Sequence, residues 1–353
     1  MQSHSKPIME RIGWLFELAE RHSREFKSPE AYLARERYTS LHPTAIAVLK
    51  CMDGRINIPV ATQTPIGIIQ PFRNLGGIFD LGWPHLGEVL ASHVTAKVAA
   101  GRRVLIFITY HFSRGESHRG CTGFGYDTQR AIAHTYEVKR QAEHIFGRSH
   151  GTVYPIVCGF ETDEDALILH GESGEKLDVS TIAPADADAL MPRLASLYPD
   201  MADQVRQDIL PLILGNIEHI AKVRQSPRLL DIEHREWMIC LGRGFDFLHT
   251  PNLALIIGPY SPDLADPIRK AASIIESNMK AGRIPDDGFL LLASVPYGEI
   301  GVDRARAELK SLFLSKFAEE VITRDFPGLS AKMYTHTAVL DWRIRALERV
   351  GVP

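Results

Sequence analysis

Short apolar runs alternate with longer amphipathic stretches along most of the chain. The runs at 44–51, 102–112 and 152–163 are rich in branched and aromatic residues and lack a helical period, so they predict buried strands. The amphipathic stretches at 86–101 and 127–147 each end at a glycine, which is typical of a helix C-terminus. Apolar strands that alternate with helices predict an α/β fold with mostly parallel, helix-covered sheets.

Two further segments are predicted to be helical. The first is residues 1–43, which divide into two helices, with Ser28-Pro29 as the N-cap and first turn of the second helix. The second is the stretch rich in Asp, Ala and Leu that begins at 182. It predicts a helical connector between two α/β parts.

The second part of the chain repeats the order of elements in the first. "REWMICLGRGFDF" at 235–247 corresponds to "TAIAVLKCMDGRIN", with Cys240 and Arg243 in the places of Cys51 and Arg55. The strand "GFLLLASVPYGE" and the long helix after it correspond to "VLIFITYHFSRGE" and its following helix. We therefore predict a duplicated fold, divided into an N-terminal helical segment at 1–43, a first α/β domain at 44–181, a helical connector at 182–230 and a degenerate α/β repeat at 231–353.

Composition excludes several classes of protein. The formal net charge of −3 provides no basic surface for a nucleic acid. No segment approaches the roughly 20 apolar residues of a membrane span, and the N-terminus lacks the apolar run of a signal peptide. Four scattered cysteines do not make a disulfide framework. We expect a cytoplasmic protein in which a cysteine can serve as a ligand or a nucleophile.

Candidate metal ligands follow the strands of the first half. Cys51 and His111 end two predicted strands, and Cys121 follows within loop reach. The carboxyl ends of parallel strands meet at one edge, where ligands bind. Two cysteines and a histidine with an open fourth position are a pattern of catalytic zinc, and thiolates disfavour Mg²⁺. Asp53 and Arg55 add a charge pair beside this site. The second half lacks the aspartate and the His/Cys partners. This predicts one Zn²⁺ per chain, with a catalytic zinc-binding domain at 44–181 and a metal-free repeat at 231–353.

These residues resemble a known family. The pattern C-x-D-x-R after a strand, "RNLGG" at 73–77 and a His…Cys pair after the next long strand are similar to the β-class carbonic anhydrases. "YHFS" with a later "HRGC", and a metal-free second copy, resemble the carboxysome shell branch of that family. The resemblance implies two β-carbonic-anhydrase-like halves, with Cys51, His111 and Cys121 as zinc ligands. It also implies hydration of CO₂ to bicarbonate and a proton by a zinc-bound hydroxide that Asp53 orients and Arg55 supports.

Several alternatives stay open at this stage. His118 has the spacing His-x-x-Cys to Cys121 and competes with His111, which has the strand-end position. The same fold and metal could serve hydrolysis of carbonyl sulfide or carbon disulfide. A non-catalytic assembly protein with a structural zinc would need a fourth ligand, for which Asp53 and His118 are candidates. We expect a homodimer or higher homo-oligomer with CO₂ and bicarbonate as its partners. Association with a carboxysome shell or with Rubisco is possible, but a free cytoplasmic protein is favoured.

Overall fold

The computed structural model describes residues 3–225, 232–243, 245 and 252–351. The predicted boundary between connector and repeat, at 230/231, lies outside these residues. Two mostly parallel sheets with helices packed on them confirm the predicted α/β class.

The N-terminal segment forms two helices, α1 (Ile8–Phe26) and α2 (Pro29–Leu41). The Ser28 hydroxyl accepts a hydrogen bond from the Ala31 N–H (3.2 Å), as predicted for an N-cap. Arg11 of α1 is fully buried, forms an ion pair with Asp287 and lies 5.1 Å over the Trp237 ring. Helix α1 is therefore anchored on the second half of the chain.

The first sheet has six strands in the order β2-β1-β3-β4-β5-β6. Strands β1 to β4 are parallel, and β5 and β6 are antiparallel additions at one edge. The elements of this half are β1 (Ala45–Cys51), α3 (Ile58–Ala61), β2 (Ile69–Asn74), α4 (Pro84–Ala99), β3 (Val104–Phe112), α5 (Thr128–Phe146), β4 (Val153–Glu161), β5 (Ala166–His170) and β6 (Lys176–Asp178).

The second sheet repeats this arrangement. Its order is β11-β10-β9-β7-β8, so that β7, β8, β9, β10 and β11 take the places of β1 to β5. The directions match as well, with parallel pairs except for β10 and β11. The elements are β7 (Met238–Gly242), β8 (Ala254–Ile257), α8 (Ala265–Lys280), β9 (Phe289–Tyr297), α9 (Val302–Asp325), α10 (Pro327–Ser330), β10 (Met333–Asp341) and β11 (Ala346–Arg349).

The two halves share one hydrophobic core. A single cluster of buried apolar side chains contains Ile46 and Val48 of β1 together with Leu255 of β8 and Leu291 of β9. The edge strands β2 and β8 contact each other, and the Gly258 N–H donates to the Arg73 carbonyl (2.9 Å). Each half therefore buries part of its apolar surface against the other half, which stabilises both.

The predicted connector contains α6 (Leu190–Leu197) and α7 (Asp203–Val223) and is part of the core. Asn216 of α7 is fully buried and donates to the carbonyls of Ala61 (2.9 Å) and Asp165 (2.8 Å). Its side-chain oxygen accepts from the Leu167 N–H (2.9 Å). A buried amide satisfied in this way holds α7 in one register against the first sheet.

Candidate metal centre

Cys51, His111 and Cys121 lie together at the carboxyl edge of the first sheet. Their sulfur and ring nitrogen atoms are within 4.8 Å of one another, and all three residues are buried. Zinc takes sulfur at about 2.3 Å and imidazole nitrogen at about 2.0–2.1 Å, so one ion can reach all three atoms. The structure thus brings the three predicted ligands together, and their role as ligands stays a prediction.

The parallel pairing of β1 with β3 places the first two side chains. Cys51 is the last residue of β1, and His111 is the second-last residue of β3. The Thr109 hydroxyl of β3 donates to the Leu49 carbonyl of β1 (2.9 Å), which holds the strand ends level. The Gly77 backbone, with φ +69°, lies close to the end of β3. An added Cβ would be 3.0 Å from the Thr109 carbonyl oxygen. The glycines of "RNLGG" therefore permit contact between the backbone and the ends of both strands.

Cys121 reaches the centre from the loop after β3. It precedes a 3₁₀ turn at Thr122–Phe124, and its thiol donates to the Gly76 carbonyl (3.6 Å). Gly123 lies against Gly76 so closely that an added Cβ would be 2.6 Å from the Gly76 Cα. Two glycine backbones in contact therefore set the position of the Cys121 sulfur.

Gly123→Ala should weaken zinc binding about tenfold or more, the effect of losing an outer support of a metal ligand. The added methyl group has no space against the Gly76 backbone, so the Cys121 loop must move away from Gly76, which displaces the Cys121 sulfur. Competition titration with a chromophoric zinc chelator would measure this. Gly13→Ala is the matched control, because nothing lies within 4 Å of its added Cβ. Equal zinc affinity in the two variants would contradict the role given to this contact.

The three residues fit a metal ion because they bring buried donor atoms together, and the two ring nitrogens of His111 lack hydrogen-bond partners. Both ring nitrogens of His111 are buried and have no hydrogen-bond partner, which is costly for a polar group. Burial, and then the neighbouring Cys121, raise the pKa of the Cys51 thiol well above its usual value. The hydrogen bond with Cys51 and the N–H groups of Gly123 and Phe124 lower the pKa of Cys121 against the effect of burial. A cation bonded to these atoms would offset the cost of burying them.

Asp53 and Arg55 form a closed ion pair beside the cluster. The Arg55 backbone N–H donates to Asp53 Oδ1 (2.9 Å), and its Nε and Nη2 donate to Oδ1 (3.1 Å) and Oδ2 (2.6 Å). Both side chains are almost fully buried. Burial alone would raise the pKa of Asp53, but the charge and hydrogen bonds of Arg55 outweigh it and hold that pKa below its usual value. Asp53 is therefore an oriented carboxylate at neutral pH.

The second half forms one wall of this centre. Asp53 pairs with Leu255 in an isolated β-bridge, and the Ile256 N–H donates to the Met52 carbonyl (2.8 Å). Arg55 Nη1 donates to the Ile232 carbonyl (3.0 Å). The Asp53 loop is thus held from both halves of the chain.

Arg119 links the Cys121 loop to the same wall. Its carbonyl accepts from Arg55 Nη2 (2.8 Å), and its guanidinium forms an ion pair with Glu233 of the second half. Arg73 of β2 supports the other side, because it donates to the carbonyls of Cys51 (3.1 Å) and Asp53 (2.8 Å). These contacts fix the backbone that carries the candidate ligands and the Asp53–Arg55 ion pair.

Sequence reasoning did not identify the supporting residues Arg119, Glu233 and Arg73. Arg119 and Arg73 lie within the motifs "HRGC" and "RNLGG", so a motif search could have noted them. Glu233 lies in "DIEHREW", which has no spacing signal, and only the fold brings it to the centre.

His118 lies apart from the cluster. Its side chain is 65% exposed and its Nε2 is 2.9 Å from a carboxylate oxygen of Glu116, whereas His111 is 2% exposed. In the second half, Cys240 is fully buried within β7, and burial raises the pKa of its thiol to about 12. Within the described ranges, no further group of three potential ligands accompanies the one at Cys51.

Comparison with known proteins gives a partial similarity to solved structures and none to family models or curated proteins. No protein-family model matches the chain. No curated protein matches it either. Among solved structures, the chain is similar to the β-carbonic anhydrase CcaA, at 15% identity and a TM-score of 0.33. The alignment covers 44% of this chain and 87% of that one. In the described part of the chain, no helix is long and apolar enough to cross a membrane.

Proposed function

We propose that the protein is a zinc-dependent carbonic anhydrase that hydrates CO₂ reversibly to bicarbonate and a proton. The observation that carries this proposal is the buried Cys51/His111/Cys121 cluster, with two unsatisfied imidazole nitrogens, next to the ionised Asp53. Three protein ligands that leave a fourth position open are typical of catalytic rather than structural zinc.

Zn²⁺ bound to the three residues would act as a Lewis acid that lowers the pKa of water towards about 7. The chain's own contribution is orientation. The Asp53 carboxylate would accept a hydrogen bond from the attacking oxygen and so direct a lone pair of that oxygen at the carbon of CO₂. Arg55 keeps Asp53 ionised and fixed through the hydrogen bonds that its backbone N–H, Nε and Nη2 donate. Because these contacts exist before substrate arrives, little reorganisation is needed during the reaction.

The geometry favours this role for Asp53 over that of a structural fourth ligand. Both carboxylate oxygens accept hydrogen bonds from Arg55, which itself is held by the carbonyls of Ile232 and Arg119. If the carboxylate moved onto the metal, less negative charge would remain beside the buried, positively charged guanidinium of Arg55. We also propose a cytoplasmic homodimer or higher homo-oligomer, with no nucleic-acid partner and no requirement for a carboxysome shell.

Stopped-flow CO₂ hydration, paired with zinc quantification on the same sample, tests the proposal. We expect saturable hydration with one zinc per chain, loss of activity after chelation and its return on addition of Zn²⁺. Carbonyl sulfide and carbon disulfide, assayed by sulfide release, serve as competing substrates. A zinc-loaded chain that leaves CO₂ hydration at the uncatalysed rate would refute the proposal, and two zinc ions per chain would refute the single-site assignment.

A further inference from the structure

A polar cavity lies at the opposite end of β1 from the candidate metal centre. It has a volume of about 190 Å³. It is bordered by α2, the first residues of β1, the loop before β2, α4 and the turn between β10 and β11. The polar side chains that line it are Thr39, Gln70, His93, Lys97, Arg102 and Arg345.

The charges that line this cavity are all positive. Among its described lining residues there is no carboxylate to oppose Lys97, Arg102 and Arg345, and none of the three forms an ion pair with another described residue. Asp208, whose charge acts on Arg102, is 1% exposed on its side chain and accepts a hydrogen bond from the Thr44 N–H (2.8 Å). Its other oxygen accepts a hydrogen bond from the Gln204 side-chain amide (2.8 Å), so Asp208 partly offsets the charge of Arg102 without lining the cavity.

Arg345 is built into the wall of the cavity. It is 8% exposed, donates to the Trp342 carbonyl (2.6 Å) and lies 3.5 Å from the centre of the Trp342 ring. Its backbone has a φ of +55°, a conformation that is uncommon outside glycine. Its guanidinium also lies 5.0 Å from the centre of the Phe26 ring. A buried cation held by two rings and one carbonyl retains donors for a further partner.

Burial and neighbouring positive charges lower the pKa values of two basic groups at the cavity. Burial and then the charges of Lys97, Arg243 and Arg102 lower the pKa of His93 to about 4. Burial and then the charge of Arg35 lower the pKa of Arg345 to about 10. The buried Nε2 of His93 also has no hydrogen-bond partner. An anion in the cavity would relieve each of these costs.

We propose that this cavity binds a phosphate group, either as free phosphate or as the head of a small phosphate monoester. The lining supplies three cations and the neutral donors of Thr39 and Gln70, which matches a group with several acceptor oxygens. A phosphate monoester carries about −1.5 to −2 charges at pH 7, so it gains more from three cations than a monoanion does. One water fills about 10–15 Å³ of such a volume, so the cavity has room for a phosphate.

The site is separate from the metal centre. Its residues at the start of β1, Ala45 and Ile46, are at the far end of the strand that ends in Cys51. It joins α4 of the first half to the turn of the C-terminal hairpin. Binding there should therefore stabilise the folded chain by linkage.

Isothermal titration calorimetry at constant ionic strength tests the proposal on the zinc-loaded protein. The probes are inorganic phosphate and glycerol 3-phosphate. Lys97→Gln should weaken binding of whichever probe binds better by about tenfold or more, the loss of one charged hydrogen bond. Arg102→Gln should do the same. Lys316→Gln, on the exposed surface of α9, is the matched control and should bind as the parent does.

The two probes separate the sources of the phosphate group. Tighter binding of glycerol 3-phosphate would support a phosphate monoester, and tighter binding of inorganic phosphate would support the free ion. Absence of saturable binding of both probes would overturn the proposal. So would equal affinities of Lys97→Gln and the parent, because they would place the anion elsewhere, including at the zinc. Thermal unfolding with and without probe verifies that each variant is folded.

Discussion

His111→Ala should remove zinc from the protein and reduce CO₂ hydration to the uncatalysed rate. Loss of an outer support costs about 10–100-fold in metal affinity, and loss of a direct ligand costs more. His111 is 2% exposed and its ring nitrogens have no hydrogen-bond partner, so its replacement leaves a cavity but breaks no hydrogen bond within the protein. Inductively coupled plasma mass spectrometry after dialysis would measure zinc per chain.

His118→Ala is the matched control for this experiment. His118 is exposed and contacts only the carboxylate of Glu116 among its described ion pairs. A surface substitution of this kind changes stability by about 0.5 kcal/mol or less. We expect full zinc content and activity. The opposite result, with zinc lost from His118→Ala and kept in His111→Ala, would overturn the assignment of the ligand.

Asp53→Asn should lower kcat/KM for CO₂ hydration by about 10²-fold or more while zinc stays bound. The amide keeps the shape of the carboxylate but loses the negative charge. That charge strengthens the hydrogen bond that orients the attacking oxygen. It also leaves the buried Arg55 with a neutral partner, and breaking a buried ion pair costs up to about 3–5 kcal/mol of stability. The rates should therefore be measured well below the unfolding midpoint, with zinc content determined on the same sample.

The chain contains a close control for Asp53. Asp341 and Arg343 repeat the D-x-R spacing at the end of β10, where the Arg343 N–H, Nε and Nη2 donate to the carboxylate at 2.9, 3.1 and 2.7 Å. Asp341→Asn thus removes the same local arrangement at a place without the Cys/His cluster. We expect unchanged CO₂ hydration in that variant. Undiminished turnover in Asp53→Asn, or an equal loss in both, would contradict the catalytic role of Asp53.

Much of the fold was predictable because the apolar runs are continuous and the helix ends are marked. Val104–Phe112 is a strand buried along almost its whole length, and Gly147 follows α5 at φ +94°. The order of strands in the repeat follows from the same signals. The packing of α7 into the core was not predictable, because its buried Asn216 looks like any polar helix residue until its partners are known.

The candidate site was predictable only as far as it is local in sequence. Cys51, Asp53 and Arg55 share one strand end, and His111 ends the neighbouring strand. The choice between His111 and His118 stayed open because spacing favours one residue and strand geometry the other. Contacts such as Arg119 with Glu233 join segments far apart in the sequence, and no periodicity or motif encodes them.

The bridge between Asp53 and Leu255 lies within one chain, so the support of the Asp53 loop does not depend on protein concentration. A wall contributed by a separate subunit would be lost on dilution, since such assembly follows mass action. Here the wall belongs to the same chain, so its closure is intramolecular and its effective concentration is set by the connecting segment. Each chain can therefore keep its Asp53 loop supported as a monomer, whatever larger assembly it joins.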